Sequence, residues 1–320
     1  MSNNKPHALV IGASNYDIKG QSHNYHIDKT SNPGVVRKTA GGVARNIAEN
    51  LARLGAESTL LTVVGNDPYG EHLINLTKSA GVDLSHVRVS DEVDTGVFLA
   101  IMDHYGDMVS AIADLQAITL ITVDYLEENA HLFDEVSFVV IDADIPASSL
   151  DYCIQKCSER NLPICVEPVS VARAKQIVPV LSKLSMVTPN REEAEAMVGF
   201  PLRSAEDVRR AGEVLVKAGL KWVIITLGAE GVLYATEEGT EFLPSISTVI
   251  TDTVGAGDAL TSGTISGLMD GLSLRDSVLR GIACATLTLQ THLAVCPQIT
   301  IERVTETAAT LGKHPHSHEG

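Results

Sequence analysis

The chain lacks any long hydrophobic run. Stretches such as Val136 to Ile141, interrupted by Ser137, fall far short of the roughly 20 apolar residues that cross a bilayer. Basic residues are scarce, with 24 Lys and Arg against 40 Asp and Glu, so the formal net charge of the 320 residues is −16. Such a surface repels phosphate backbones and anionic lipids, which argues against nucleic-acid and membrane partners but leaves room for a small phosphorylated ligand in one pocket. Cysteines number five, at 153, 157, 165, 284 and 296, an odd count without paired zinc-site spacing. Cys153 and Cys157 stand four apart in a helix-like stretch and read as buried thiols. No charged-then-apolar leader is visible at Met1-Ser2-Asn3-Asn4-Lys5, and the expectation is a reduced, cytoplasmic protein. Also missing are G-x-x-x-x-G-K-[ST] and the protein-kinase loop, so those two phosphoryl-transfer architectures do not apply.

What the chain does have is an alternation of short apolar runs with helix-period segments. His7–Ile11, Ser58–Val64, Ser137–Ile141, Pro163–Val166 and Lys221–Thr226 read as buried parallel strands. Between them, Val43, Ile47, Leu51 and Leu54 step as a helix face closed by Gly55, and Asp67-Pro68 opens a helix ended by Gly81. Ser204 to Asp207 reads as a capping box for a helix ended by Gly219. This pattern predicts a doubly wound, mostly parallel α/β sheet with helices on both faces, in one domain over residues 1–312. Two segments break it. Residues 18–38 are polar without a helix period, and 94–113 alternates around the turn Asp103–Asp107. Gly96–Met102 and Met108–Ala113 read as a hairpin, and the two segments together as a small β lid. The tail 313–320, with three histidines and no core pattern, is expected to be frayed.

The most informative stretch is Asp252-Thr253-Val254-Gly255-Ala256-Gly257-Asp258. It follows the strand-like run Ser247–Thr251 and opens a helix carrying Leu260, Ile265 and Leu268. Two glycines at a helix start let backbone amides and the helix dipole receive an anion. A carboxylate in that first turn suits a base that takes a proton from an attacking hydroxyl. A plain glycine turn with an acidic first-turn residue accounts for the spacing equally well.

Asp252–Asp258 resembles the C-terminal signature of the ribokinase-type (PfkB) family of carbohydrate and nucleoside kinases. Ala40-Gly41-Gly42-Val43-Ala44-Arg45-Asn46-Ile47-Ala48 resembles its N-terminal signature, some 210 residues earlier. The resemblance implies a ribokinase-like fold and an ATP- and Mg²⁺-dependent phosphotransferase acting on an alcohol group. It makes Asp258 the catalytic base and the amides of Gly255, Ala256 and Gly257 the hole for phosphoryl charge. It places Asn15, Asp17, Gly41, Gly42 and Asn46 around the sugar, where an ordinary polar turn is the alternative for Asn15 and Asp17. Asn190-Arg191-Glu192-Glu193 matches a motif that positions Mg²⁺ and phosphate, with Asn190 on the nucleotide side and Glu193 associated with Mg²⁺; the same residues also read as a capping box. Glu167 stands at a strand end where relatives carry Asp or Asn. Thr226, Gly228, Gly231 and Thr253 join Asn190 in the ATP site, and Asp252 matches a position that holds K⁺ in many relatives. Within the family, Ser31–Ala48 and Gly106–Asp114 look most like bacterial pseudouridine kinases, which would bring Thr95 and Asp114 of the lid to the uracil ring; turn chemistry is the alternative for both. Another nucleoside, a ribose-like sugar, or a catalytically inactive ligand sensor are the other readings. The exposed lid edge predicts a homodimer through the lid strands.

Overall fold

The computed structural model describes residues 5–311, and the tail 313–320 lies outside them. The chain runs through strand β1 (His7–Ile11), out along β2 (Asn15–Ser22) and β3 (Gly34–Gly41), and back through helix α1 (Val43–Arg53) and β4 (Glu57–Leu61). There follow β5 (Val63–Gly65), α2 (Pro68–Ser79), β6 (Arg88–Ser90), β7 (Gly96–Met102) and β8 (Met108–Asp114). Next come α3 (Val123–Glu128), β9 (Phe138–Asp142), α4 (Ala147–Arg160), β10 (Ile164–Glu167) and α5 (Val171–Ile177). Strand β11 (Met186–Val187), α6 (Arg191–Val198), α7 (Ala205–Lys217) and β12 (Trp222–Thr226) complete the parallel part. The hairpin β13 (Val232–Thr236) and β14 (Gly239–Leu243) leads to α8 (Ala256–Met269), α9 (Leu274–Leu289) and α10 (Ile301–Ala308).

Eight strands form the main sheet in the order β14-β13-β12-β11-β10-β9-β1-β4, parallel except for the antiparallel β12-β13-β14 edge. Side chains alternate between its two faces, and the core divides accordingly. Leu9, Ile11, Val139, Ile141, Val223 and Ile225 join one cluster, while Ala8, Val10, Phe138, Val140 and Ile224 join the other. The chain passes from β1 to β4 on one side and later places β9 on the other, so a switch point lies at the carboxyl ends of β1 and β9, where such sheets present ligand contacts. There the Asp142 carboxylate accepts a hydrogen bond from the Ala13 amide at 3.1 Å.

A second sheet, β3-β2-β7-β8, stands apart from the first, with β2 antiparallel to β3 and parallel to β7. It takes in more than residues 18–38 and 94–113. Asn15 and Asp17, for which a polar turn was the alternative, belong to β2 itself, and its residues from Asp17 to Gln21 are only partly buried.

Two expected strands are corrected. Ser58–Val64 is not one strand, because the chain leaves the main sheet after Leu61 and Val63–Gly65 pairs with β6 instead. Ser247–Thr251 is not a strand at all: β14 already forms the sheet edge, and the segment crosses a cleft with Val249 and Ile250 exposed. The helix starts follow the expected chemistry. Asp67 accepts from the Tyr69 and Gly70 amides ahead of Pro68, and Asn190 with Glu193 and Ser204 with Asp207 form capping boxes.

Candidate active site

Helix α8 begins at Gly255, whose φ of +77° is a left-handed conformation and whose missing side chain is essential: a Cβ there would sit 1.9 Å from the Ala294 carbonyl oxygen. Among the described residues the amides of Gly255 and Gly257 find no acceptor, and Ala256 N reaches only the Thr253 oxygen at 3.4 Å. These are the unsatisfied donors of a helix start, and Ala256 and Gly257 line a cleft. One turn in, Asp258 accepts a hydrogen bond from Asn46 Nδ2 at 2.7 Å, which joins the two glycine-rich segments across 212 residues of sequence. Burial pushes the Asp258 carboxyl up to about 6, against the opposing pull of the Asn46 amide and the Arg45 guanidinium, and the charge of Asp17 adds to the rise. A carboxylate poised just below neutral pH suits a general base.

Asp17 stands on β2 with Asn15, whose Nδ2 donates to it at 2.7 Å. Burial raises its pKa. Gly41 leaves room for it, since a Cβ at Gly41 would lie 2.5 Å from Asp17 Oδ2. Gly42 caps the start of α1, so Asn15, Asp17, Gly41, Gly42 and Asn46 converge beside Asp258.

The lid residues fall differently. Cross-strand register places Phe98 beside Asp17 and Ala113 beside Phe98, whereas Asp114 pairs with Val97, which pairs with Tyr16. Asp114 therefore faces away from Asp17 and is exposed; the expectation that it meets a bound ring is corrected. Thr95 is buried, with its hydroxyl accepting from the Gly65 amide at 2.9 Å and its own amide donating to Asp67 at 2.7 Å. It braces the entry to β7. Phe98, half-buried on the Asp17 face, is the residue that the sequence reading overlooked.

A cleft of about 600 Å³ lies on the other side of the α8 start. Thr226, Gly228, Gly231, Thr253, Ala256 and Gly257 line it, along with Ile246 and Ile250 from the segment after β14. Gly228 is open to solvent space, whereas Gly231 is tight against the Leu243 carbonyl, 2.2 Å from a Cβ there. Asn190 bridges to Thr226 at the cleft's edge, and its side chain accepts from the Glu193 amide. Glu193 is buried, and burial raises its pKa although the Asn190 amide opposes this. Glu167 is held by the hydroxyls of Thr188 and of Thr261 (3.2 Å), and burial raises it well above the carboxylate range, with repulsion from Asp258 and Glu193 contributing. Neither glutamate has a salt-bridge partner among the described residues. Burial favours the neutral form of both, and a hydrated Mg²⁺ would be held by them only once ionised.

Asp252 is different. Lys19 from the lid donates to both of its oxygens at 3.1 Å, and Val254 N donates to Oδ1. Although burial works against its charge, these contacts hold Asp252 below the usual range. The charge expected to bind K⁺ is thus met by a lysine, and these residues do not call for that ion. Lys19 follows Asp17 by two on the same strand face, a spacing visible in the sequence but not noticed.

A parallel-sheet switch point, an anion-receiving helix start carrying a base, and a separate lid together define a small-molecule phosphotransferase acting on an alcohol group. The chain matches the pfkB family carbohydrate kinase model over residues 5–300 and belongs to that family. It is 32% identical to the pseudouridine kinase of Escherichia coli over 94% of this chain and 96% of that one. It is 28% identical to a guanosine-inosine kinase of Exiguobacterium acetylicum, over 86% of this chain and 92% of that one. Among solved structures it superposes on a carbohydrate kinase from Agrobacterium tumefaciens with a TM-score of 0.82, at 27% identity over 95% and 97% of the two chains. Arabidopsis thaliana ribokinase, complexed with ribose and ATP, shares the fold at a TM-score of 0.79 and 20% identity, over 98% of this chain and all of that one.

Proposed function

We propose that the protein transfers the γ-phosphoryl group of ATP to the ribose 5′-hydroxyl of pseudouridine, giving pseudouridine 5′-phosphate and ADP. The observation that carries this reading is the acceptor side of the site. Asp17 and Asn15 offer polar partners for sugar hydroxyls, and Phe98 beside them on the lid offers a face on which a nucleobase stacks and a free sugar does not. The similarity to the E. coli pseudouridine kinase supports the choice of base.

In this reading Asp258 takes the proton of the attacking hydroxyl while its oxygen bonds to the γ-phosphorus and the bond to the β-phosphate oxygen breaks, releasing ADP. The Gly255, Ala256 and Gly257 amides receive the charge that spreads over the phosphoryl oxygens. Glu193 and Glu167 would hold Mg²⁺, which would supply neutralisation of the triphosphate charge. Asn190, Thr226, Gly228 and Thr253 bind the nucleotide. The inactive-sensor reading gains nothing from the site, which keeps base, amides and acceptor residues together.

The lid supports pairing with a second copy. Strand β8 is exposed along its whole length, with Met108, Ile112 and, on the opposite edge, Val36 more than half uncovered. A dimer joined there loses stability in an Ile112→Glu variant, read by sedimentation. The five buried free thiols suit a reducing cytoplasm.

The substrate is tested by kcat/KM for pseudouridine, uridine, inosine and ribose with saturating MgATP, following ADP release. Pseudouridine is expected to lead. Uridine or ribose matching it refutes the acceptor, and inosine leading favours the other nucleoside reading.

A further inference from the structure

We propose that Arg45 is a positioning residue of the phosphoryl-transfer centre, fixing which end of the Asn46 amide faces Asp258 and supplying the cation that keeps Asp258 a base. The inference rests on the kinase reading above. Arg45 is 1% exposed, in the first turn of α1 between the glycine pair and Asn46. Its guanidinium is held on every side. Nε donates to the Gly41 carbonyl at 2.9 Å, Nη2 to the Ala40 carbonyl at 3.2 Å, and Nη1 to Glu49 Oε2 at 2.5 Å. Glu49 is in turn clamped through Oε1 by Arg53 at 2.9 and 2.7 Å. The remaining contact of Nη2 is with Asn46 Oδ1.

That last contact settles the amide. An arginine only donates, so the Asn46 atom facing it is the oxygen and the NH₂ end is left for Asp258. Turned over, Asn46 would set N–H against N–H and oxygen against carboxylate. The base is thereby given a donor on Oδ2, and its other lone pairs stay free for the acceptor hydroxyl. The surroundings make the charge of Arg45 count as well. The Asp258 carboxyl feels the charges of Arg45 from α1 and Asp17 from β2, and repels in turn those of Asp142 from β9 and Glu167 from β10. Of these four, three are carboxyls and one is a cation. Removing it leaves carboxyls alone around the base, which favours the protonated, inactive form.

A guanidinium that braces Ala40 and Gly41 also holds the loop together, so the test must separate bracing from positioning. The variants are Arg45→Met, made with Glu49→Gln because Arg53 alone would be left to hold the buried Glu49 carboxylate, and Arg45→Lys. The readout is kcat against pH, with acceptor and MgATP saturating, plus KM for ATP. In Arg45→Met/Glu49→Gln the acid limb of kcat is expected to move up by about one pH unit or more, with loss greatest at low pH and partial recovery near pH 9. KM for ATP stays unchanged. Arg45→Lys keeps the charge but not the fork, so its limb stays in place while kcat drops roughly tenfold at every pH. An acid limb that does not move in the double variant overturns the proposal, as does wild-type kcat in Arg45→Lys. Should the double variant fail to fold by circular dichroism, Arg45→Lys decides alone. Absence of ADP release from the wild-type protein with every acceptor overturns the kinase reading instead, without reference to Arg45.

Discussion

Asp258→Asn separates the catalytic role proposed for this side chain from its cost to the fold. The amide keeps the shape, and its oxygen still accepts the 2.7 Å bond from Asn46, so the acceptor pocket stays intact. It cannot take a proton, and kcat is expected to fall by roughly 10²–10⁴. Stability moves the other way. The carboxyl rises from an ordinary 3.8 to about 6 in the folded protein, so between those values the folded state binds the proton more tightly than the unfolded chain. Stability is therefore lost as pH climbs from about 4 to about 6, and by pH 8 the ionised group costs up to about 3 kcal/mol at 1.36 kcal/mol per pH unit. The neutral amide of the variant carries no such cost. Thermal unfolding is expected to show the variant more stable than wild type at pH 8, with the gap closing near pH 4. A gap independent of pH refutes the account of the carboxyl's environment, and near-normal kcat refutes its role as the base.

Two further substitutions probe the acceptor side and the loop before α8. Asp17→Ala is expected to raise KM for the nucleoside much more than KM for ATP, by the roughly 1.5–3 kcal/mol of a charge-assisted hydrogen bond; equal effects on both would move Asp17 out of the acceptor pocket. Because Lys19 meets the charge of Asp252, replacing K⁺ with tetramethylammonium is expected to leave wild-type kcat unchanged, and Lys19→Met to lower it at constant protein stability; strong activation of the wild type by K⁺ would sink that reading.

The glycine-rich segments were legible because their chemistry is local. Gly255 needs its φ, Gly41 needs its empty space beside Asp17, and both needs leave a fixed spacing in the sequence. The strand alternation was legible for the same reason, since β1, β9 and β12 are apolar on both faces. Asp114 was misplaced because which face a hairpin residue takes depends on register, and shifting by one residue turns every side chain over. Ser247–Thr251 has the composition of a strand but no neighbour to pair with, a fact of topology rather than propensity. Arg45 left a signal that went unused. Arg45, Glu49 and Arg53 repeat at four-residue steps beside the core face of α1, a ladder of opposite charges starting next to the signature asparagine.

The charge of the site itself leads to a final expectation. The protein carries a net charge of −16, and Asp17, Asp142, Glu167, Glu193 and Asp258 form a group of mutually repelling carboxyls, yet its second substrate is a polyanion. Among the described residues, no lysine or arginine lines the cleft assigned to the nucleotide, whose walls are hydroxyls, glycines and aliphatic side chains. Phosphate must then be received by neutral donors, the Gly255 and Gly257 amides and the dipole of α8, with the metal offsetting the rest. Amide donors of fixed orientation are screened far less by salt than mobile surface ammonium groups are. Calorimetric titration is therefore expected to give MgATP binding that changes little between about 50 and 300 mM salt. Metal-free ATP, bringing its full charge toward five carboxyls, is expected to bind much more weakly. Equal affinity with and without Mg²⁺, or a steep fall of MgATP binding with salt, would show that a cationic side chain outside this cleft does the work assigned to the helix start.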